Sequence, residues 1–280
     1  MQKPRCVVVL LTFNSASIIG ETVAQAKKVS PHVYVVDSFS KDDTPALLSA
    51  LECTVVQRAF SNYSDQRNWA ISQVESAYDW QLHLDADEVL DEQAVDEINE
   101  LLSADPKFEA YLLRRRDYFM GRMLRFSGLN PWHLRLFRSG VARCEDRLYD
   151  QHFLTDRRTG RLRGFMHDRN SARLSDWIIS HNRWSDAEAE EMLKQHSVVR
   201  GTLQPSLLGD PRERTRFLKG IYYGLPSSLR SLGYFIYRYV FRLGFLDGRE
   251  GFYFAFFQAL WFRMLVDAKI YEKKRTERPL

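Results

Sequence analysis

Cysteine is scarce in this chain of 280 residues, with only Cys6, Cys53 and Cys144. So sparse and odd a set gives no disulfide framework and no CxxC metal knuckle, and it points to a reducing compartment. Glycine-rich phosphate loops are also missing. Neither GxGxxG nor GxxxxGK[ST] occurs at the first strand-to-helix turn, which argues against a dinucleotide-binding fold and against a P-loop ATPase. No internal repeat or low-complexity linker interrupts the chain. The apolar run from Phe252 to Val266 is broken by Gln258 and Arg263 and falls short of the ~20 residues that a membrane-spanning helix needs. The opening "MQKPRCVVVLLTFNS" has a short apolar run but no small-residue cleavage site, so it reads as a buried strand rather than a signal peptide. A formal net charge of +4 is too small to argue for a nucleic-acid partner.

What is present is the make-up of a globular protein, with 45% apolar and 27% charged residues and enough length for one large domain or one domain with an appendage. "CVVVLL" (6–11) reads as a strand covered on both faces. "NSASIIGETVAQAKKVS" follows with helical spacing, capped by Ser15 or Ser17 and carrying Lys27 and Lys28 at its negative end. Strands are expected at 32–37, 53–57 and 80–85, and helices at 44–52 and 65–76. Alternation of this kind means βαβ crossovers and a mainly parallel sheet. A helix over 91–102 and strands at 108–115 and 132–137 complete this part. Charge is unevenly placed, acidic over 85–100 and crowded with arginine from Arg114 to Arg183. An anionic substrate or an anionic membrane surface suits that division.

In such sheets ligands bind beyond the carboxyl ends of the strands. The first four strands end in "TFN", "DSFSKDD", a loop around "AFSNYSDQR", and "DAD". The last of these, within "QLHLDADEVL" (81–90), puts Asp85, Asp87 and Glu88 into four positions. Carboxylates at i and i+2 beyond a strand end can share one hard cation. An EF-hand is excluded because Val89 and Leu90 stand where that loop needs an oxygen ligand and a glycine. A haloacid-dehalogenase-like phosphatase would carry its acids after the first strand, which here ends in "TFN". An acidic helix start accounts for Glu88, Asp91 and Glu92, but less well for an acidic pair at a sheet edge.

With "TFNSASII", "VVDSFSKDDT", "QRNWA", "WQLHLDADE" and "RLFR" in this order and spacing, the sequence resembles the family 2 glycosyltransferases of the GT-A fold. It is most similar to the bacterial lipopolysaccharide-core and exopolysaccharide enzymes. The resemblance implies an α/β fold: a GT-A (Rossmann-like), mainly parallel mixed sheet flanked by helices, with a C-terminal aromatic and basic helical extension. It implies a nucleotide-sugar-binding half over 1–105, an acceptor-binding half over 106–200 and a membrane-associating segment over 201–280. It also implies transfer with inversion from a nucleotide-sugar, UDP being the expected nucleotide, to a lipid-linked or lipopolysaccharide saccharide. By position, Thr12 and Asn14 line the nucleotide pocket, and Asp37 accepts from base or ribose. Arg67 forks onto a phosphate or braces the aspartates. Asp85 faces ribose or metal, and Asp87 ligates Mg²⁺ or Mn²⁺, with His181 of "ISHNRW" a further metal or diphosphate contact. The base that deprotonates the acceptor hydroxyl falls among Glu145, Asp146 and Asp150, with Asp150 favoured from "RLYDQH". A nucleotidyltransferase would want a basic, glycine-rich first loop, which "TFNSAS" lacks. A non-catalytic saccharide-binding protein would have little use for the paired aspartates.

The C-terminal stretch is dense in aromatics with Arg230, Arg238, Arg242, Arg249 and Arg263 interspersed. That composition resembles helices lying in the headgroup plane, and sets the expected location at the cytoplasmic face of a bacterial inner membrane. A helical pair packed on the catalytic domain is the plainer alternative.

Overall fold

The computed structural model describes residues 5–147, 150–169, 173–194 and 202–276. By internal contacts the chain forms two compact units. The first comprises Met1–Arg115, Asn130–Asp146 and Gln151–Arg169, and the second Arg116–Leu129, Arg147–Asp150 and Asn170–Leu280.

In the first unit, β1 (Cys6–Thr12) is buried along its whole length. Four strands, β1, β2 (Val33–Asp37), β3 (Thr54–Gln57) and β4 (Trp80–Asp85), lie in the order β3-β2-β1-β4, all parallel. They are linked by α1 (Ile19–Val29), α2 (Thr44–Ala50) and α3 (Tyr63–Val74). Period-two alternation sorts β1 between two cores. Val8 and Leu10 pack with Ile19 and Val23 of α1, while Val7, Val9 and Leu11 pack with Ala70 and Val74 of α3. A continuous apolar strand is therefore required, because helices cover both faces.

Beyond β4 come β5 (Glu88–Leu90), α4 (Glu92–Ser103), β6 (Ala110–Phe119), β7 (Arg122–Met123), β8 (Trp132–Arg138), β9 (Arg143–Cys144), β10 (Phe153–Leu154) and β11 (Thr159–Asp168). The sheet continues β4-β8-β6-β11-β5, with β8 antiparallel to β4 and β6, and β5 antiparallel to β11. It is parallel on one side and antiparallel on the other. β5 and β11 escaped the sequence reading. In β11 the buried positions Gly160, Leu162, Gly164 and Met166 alternate with exposed or half-exposed ones, so glycines occupy half of its inner face and dilute the apolar signal. Glu88 belongs to β5, not to a helix start.

Two helix starts differ in detail from expectation. Neither Ser15 nor Ser17 caps α1: its N-cap is Ile18 with no side-chain bond, and the Ser15 carbonyl accepts from the Ile18 and Ile19 amides at 3.0 and 2.9 Å. The Ser15 amide instead donates to Thr44 Oγ1 at 2.8 Å, tying the turn after β1 to α2. Asn62 caps α3 by accepting from the Asp65 amide, so this helix begins two residues before the expected position. Asp91 caps α4, accepting from the Ala94 amide at 2.8 Å.

The second unit is helical: α5 (Leu174–Lys194), α6 (Pro211–Gly224), α7 (Ser227–Ile236), α8 (Gly248–Ala255) and α9 (Phe262–Thr276), with π-helical turns at Tyr237–Phe241 and Phe256–Trp261 and a 3₁₀ turn at Gly244–Asp247. Asp210 and Glu213 form a reciprocal capping box at α6. Phe119, Leu124 and Phe254 make one apolar centre and Ala189, Phe262 and Val266 another. Among the described residues no helix is long and apolar enough to cross a membrane.

α4 crosses β11 so closely that a Cβ on Gly164 would lie 2.2 Å from the Ala94 amide nitrogen. Backbone, unlike a flexible side chain, does not yield to such an overlap. Gly164→Ala is expected to destabilise the protein by about 2 kcal/mol or more, read as a lowered denaturation midpoint in urea at unchanged slope.

Candidate active site

β1 has β2 on one side and β4 on the other, and α1 and α3 cover its opposite faces. Such a reversal of strand order opens a crevice beyond the carboxyl ends of the two central strands. Register places Thr12 opposite Asp37 and Leu11 opposite Asp85, so the polar ends of β2, β1 and β4 share one edge.

On the β2 side, Asp37 is fully buried. It accepts from Thr12 Oγ1 at 3.0 Å, from the Ser40 amide at 2.9 Å and from Ser40 Oγ at 2.5 Å. Asn14 adopts φ +48° and accepts from the Lys41 amide at 2.8 Å, while its own amide donates to Ser40 Oγ at 2.8 Å. Thr12, Asn14 and Asp37 thus lock the loops after β1 and β2 to each other. Phe13 and Phe39 on those loops stay more than half exposed.

On the β4 side the charges concentrate. Arg67, buried on α3, pairs with one oxygen of Asp85 and also donates to the Leu84 carbonyl at 3.2 and 3.3 Å. Arg135, buried in β8, reaches the other Asp85 oxygen at 3.0 Å and Glu88 at 2.5 Å. Glu88 in turn accepts from the Asp85 amide at 3.0 Å. Arg115 of β6 pairs with Asp168 at the end of β11, at 3.3 Å. Thr22 of α1 donates to the Ala86 carbonyl at 2.6 Å, and the Arg169 amide to the Asp87 carbonyl at 3.0 Å, which fixes the turn between β4 and β5.

Four carboxylates therefore meet three guanidiniums, and the excess negative charge falls on Asp87. Among the described residues its carboxylate has no hydrogen-bond or ion-pair partner. Burial, then Asp168, Asp85 and Glu88, push its carboxyl well above the ordinary value, against a smaller pull from Arg115. Asp85 goes the other way: burial would raise it, but Arg67 and Arg135 together outweigh burial and hold it below the ordinary value. Neighbouring acids with opposite shifts are a mark of functional sites. Among the described residues no three His, Cys, Asp or Glu side chains close around a metal ion. One open carboxylate beside an anchored one fits a hard cation that takes its remaining oxygens from water and substrate, not a closed protein cage.

The three base candidates sit differently. Glu145 is buried and accepts from the His152 amide at 2.9 Å, bracing the turn between β9 and β10. That hairpin is held beside α3 by Asn68, whose side chain bonds the Cys144 backbone at 2.8 and 2.9 Å. Asp146 is exposed. Asp150 belongs to the second unit, half-buried with φ +57°, and its carboxylate pairs with Lys219 at 3.4 Å.

His181 lies on α5, buried and stacked on Trp177 at 3.4 Å between ring centroids. Its Nδ1 is 2.9 Å from the Trp177 carbonyl and its Nε2 3.1 Å from the Gln258 carboxamide. With both ring nitrogens engaged inside its own unit, the imidazole offers a metal no lone pair; its part there is packing. His83, mid-strand in β4, is fully buried against Phe137 and Phe153, and burial, with Arg67 and Arg135 beside it, keeps it neutral.

Sequence reasoning assigned no site role to Arg135, Arg115 or Asp168. For Arg135 a signal existed: an arginine flanked by leucines inside a strand must be paired if buried. Arg115 and Asp168 reach the cluster only through β6 and β11, and nothing in the chain near them marks the meeting.

The family described as "Glycosyl transferase family 2" matches residues 7–178. An uncharacterized glycosyltransferase of Rickettsia conorii is 34% identical over 95 residues, which are 34% of this chain and 33% of that protein. The chain thus spans about a third of the length of such curated relatives. The lipopolysaccharide core biosynthesis glycosyltransferase LpsC of Rhizobium meliloti is 23% identical over 202 residues, covering 66% of this chain and 70% of LpsC. Among solved structures, the mannosyltransferase PcManGT of Pyrobaculum calidifontis, in complex with GDP-Man and Mn²⁺, aligns over 98% of this chain and 89% of its own, with a TM-score of 0.50 at 15% identity. That likeness extends to the fold, a mixed sheet flanked by helices.

Asp87→Asn is expected to raise the melting temperature of the metal-free protein by a few degrees, about 2–4 °C, because it removes a carboxylate that three others repel; thermal unfolding in chelator reads this. Burial lowers the His181 pKa from 6.5 to about 4, so between those values the unfolded chain binds the extra proton. Stability present above pH 6.5 is lost as pH falls toward 4. His181→Gln should flatten that part of the stability profile while lowering stability at neutral pH, as measured by denaturant unfolding across the range.

Proposed function

The chain belongs to glycosyl transferase family 2, and from that membership we propose that it moves a sugar from a nucleotide-sugar, with UDP as the leaving group, onto a lipid-linked or lipopolysaccharide saccharide. The transfer is a single displacement with inversion, assisted by Mg²⁺ or Mn²⁺ and run at the cytoplasmic face of a bacterial inner membrane. The observation that carries this reading is the Asp87 carboxylate, unpartnered among the described residues, beside the doubly anchored Asp85 at the carboxyl edge of β4.

Asp87, with Asp85 beside it, would hold the cation, which neutralises charge growing on the departing diphosphate. Arg67 and Arg135 keep Asp85 ionised and aimed, so its position needs no rearrangement when substrate arrives. The locked loops carrying Thr12, Asn14 and Asp37 set the shape of the nucleotide end of the crevice. An inverting displacement also needs a base on the face opposite the leaving group. We assign it among Glu145, Asp146 and Asp150, with Asp150 first. Glu145 is committed to the β9–β10 turn and Asp146 is exposed, whereas Lys219 orients Asp150. The mannosyltransferase structure that shares the fold holds GDP-Man and Mn²⁺, and LpsC acts in lipopolysaccharide core biosynthesis; both support this choice of donor class and acceptor class.

The test is a donor panel followed by turnover. UDP- and GDP-sugars with Mn²⁺ should raise the melting temperature of the wild type, since a ligand that binds only the native state stabilises it. Sugar transfer should fall about a hundredfold or more in Asp87→Ala and in Asp150→Asn, and chelator should abolish it in the wild type. Wild-type rates in both variants would remove the site assignment. Turnover that persists in chelator would remove the metal.

A further inference from the structure

The second unit leaves an unusual amount of apolar side chain in solvent. Along α7 and the turn after it, Leu229, Leu232, Ile236 and Val240 recur at spacings of three, four and four. All four are exposed, Leu229 at 66%. That spacing is one face of a helix, and here the apolar face points outward. The stripe runs into a tip formed by Phe241, Leu243, Phe245 and Leu246, again exposed, with Phe241 at 75%.

The tip is held rigid. Asp247 accepts from the backbone amides of Arg125, Phe126 and Ser127 at 3.0, 2.9 and 2.7 Å, and from Ser127 Oγ at 2.7 Å. Arg238 closes the same loop by donating to the Ser127 carbonyl. A Cβ on Gly244 would lie 2.7 Å from the Arg238 carbonyl, and one on Gly251 would lie 2.5 Å from the Gly244 carbonyl. The glycines of "GFLDGREG" thus let the turn fold onto itself. Leu243 is left-handed at φ +59°, an uncommon conformation for a leucine, and it keeps its side chain outside the fold. A soluble surface gains nothing from presenting leucine and phenylalanine on so firmly tied a turn.

Charge selects the occupant. From Ser227 to Asp267 there are five arginines and three acids; Arg230 pairs with Asp267, Arg263 pairs with Glu188 and Arg238 is buried in the loop clamp, which leaves Arg242 and Arg249 to set against Asp247 and Glu250. Asp247 is buried in the loop clamp, and Glu250 pairs with Arg122 at 3.3 Å. Arg249 is exposed and Arg242 half-exposed beside the tip, and neither has an acidic partner among the described residues. Two copies of this surface would bring like charges together, whereas anionic headgroups around inserted apolar side chains satisfy both features.

We propose that the α7 stripe and the Phe241–Leu246 tip form a preorganised wedge that seats in the headgroup layer of an anionic lipid bilayer. Asp247 and Arg238 hold its shape, and Arg242 and Arg249 contact lipid phosphate. The proposal does not rest on sugar transfer, because vesicle binding is read without donor or acceptor.

The experiment is flotation of the whole protein with vesicles of phosphatidylethanolamine containing about a quarter phosphatidylglycerol, with neutral phosphatidylcholine vesicles alongside. The wild type should float with the anionic vesicles and weakly with the neutral ones. Leu229→Glu and Phe241→Glu should each reduce binding at least about tenfold at unchanged melting temperature, since both side chains are already in water. Arg242→Gln with Arg249→Gln should weaken binding to anionic vesicles only, as should raised salt. Failure of the wild type to float, or variants that bind as it does, would overturn the proposal. So would sedimentation showing a wild-type dimer that Leu229→Glu dissociates, since a second copy would then be the occupant.

Discussion

The end of β4 is built around a charge imbalance. Arg67 and Arg135 hold opposite oxygens of Asp85, and Arg135 also holds Glu88, so three elements are pinned to one carboxylate. Arg115 and Asp168 satisfy each other a short way off. What remains is Asp87, carried on a turn whose backbone is tied from both sides. Buried ion pairs add little net stability, and removing one partner is strongly destabilising. Such a network is therefore better understood as a device that fixes where an excess negative charge sits. The crevice is ready to receive positive charge.

That arrangement follows from the sheet. β1 and β4 are parallel neighbours that end together, and α1 and α3 lie on opposite faces. The crevice opens where the winding reverses, and the antiparallel strands β8, β6 and β11 then deliver Arg135, Arg115 and Asp168 toward the same edge. The parallel strand β4 supplies Asp85, while antiparallel strands supply Glu88, Asp168 and two of the three arginines. The second unit follows a different principle, with helices tied by buried ion pairs such as Arg230 with Asp267 and Glu188 with Lys219 and Arg263, and with apolar side chains left outside.

Much of the first unit was legible because its signals are local. The run Cys6–Leu11, the alternation of short apolar strands with amphipathic helices, and the acids beyond "WQLHL" each state their role within a few residues. The GT-A architecture and family membership agree with that reading. Local chemistry misled where tertiary ties intervened. Ser15 was free to cap α1, but its amide is drawn to Thr44 instead. Glu88 has the composition of a helix start, yet it pairs in β5 with Asp168 of β11. His181 has the chemistry of a ligand, but Trp177 and Gln258 occupy both ring nitrogens.

The sequence by itself determined the order of elements from β1 to β4, the edge at which those strand ends gather and the presence of paired acids there, because periodicity and turn chemistry are short-range. Only tertiary structure decided which acid is compensated and which is not. The cations that settle it come from positions 67, 115 and 135, brought together by strand pairing over as many as 50 residues, and Coulomb energy depends on distance in space alone. In the same way the composition of the C-terminal helices left open whether their apolar residues pack on protein or face outward. Folding decided that one face of them would remain in solvent.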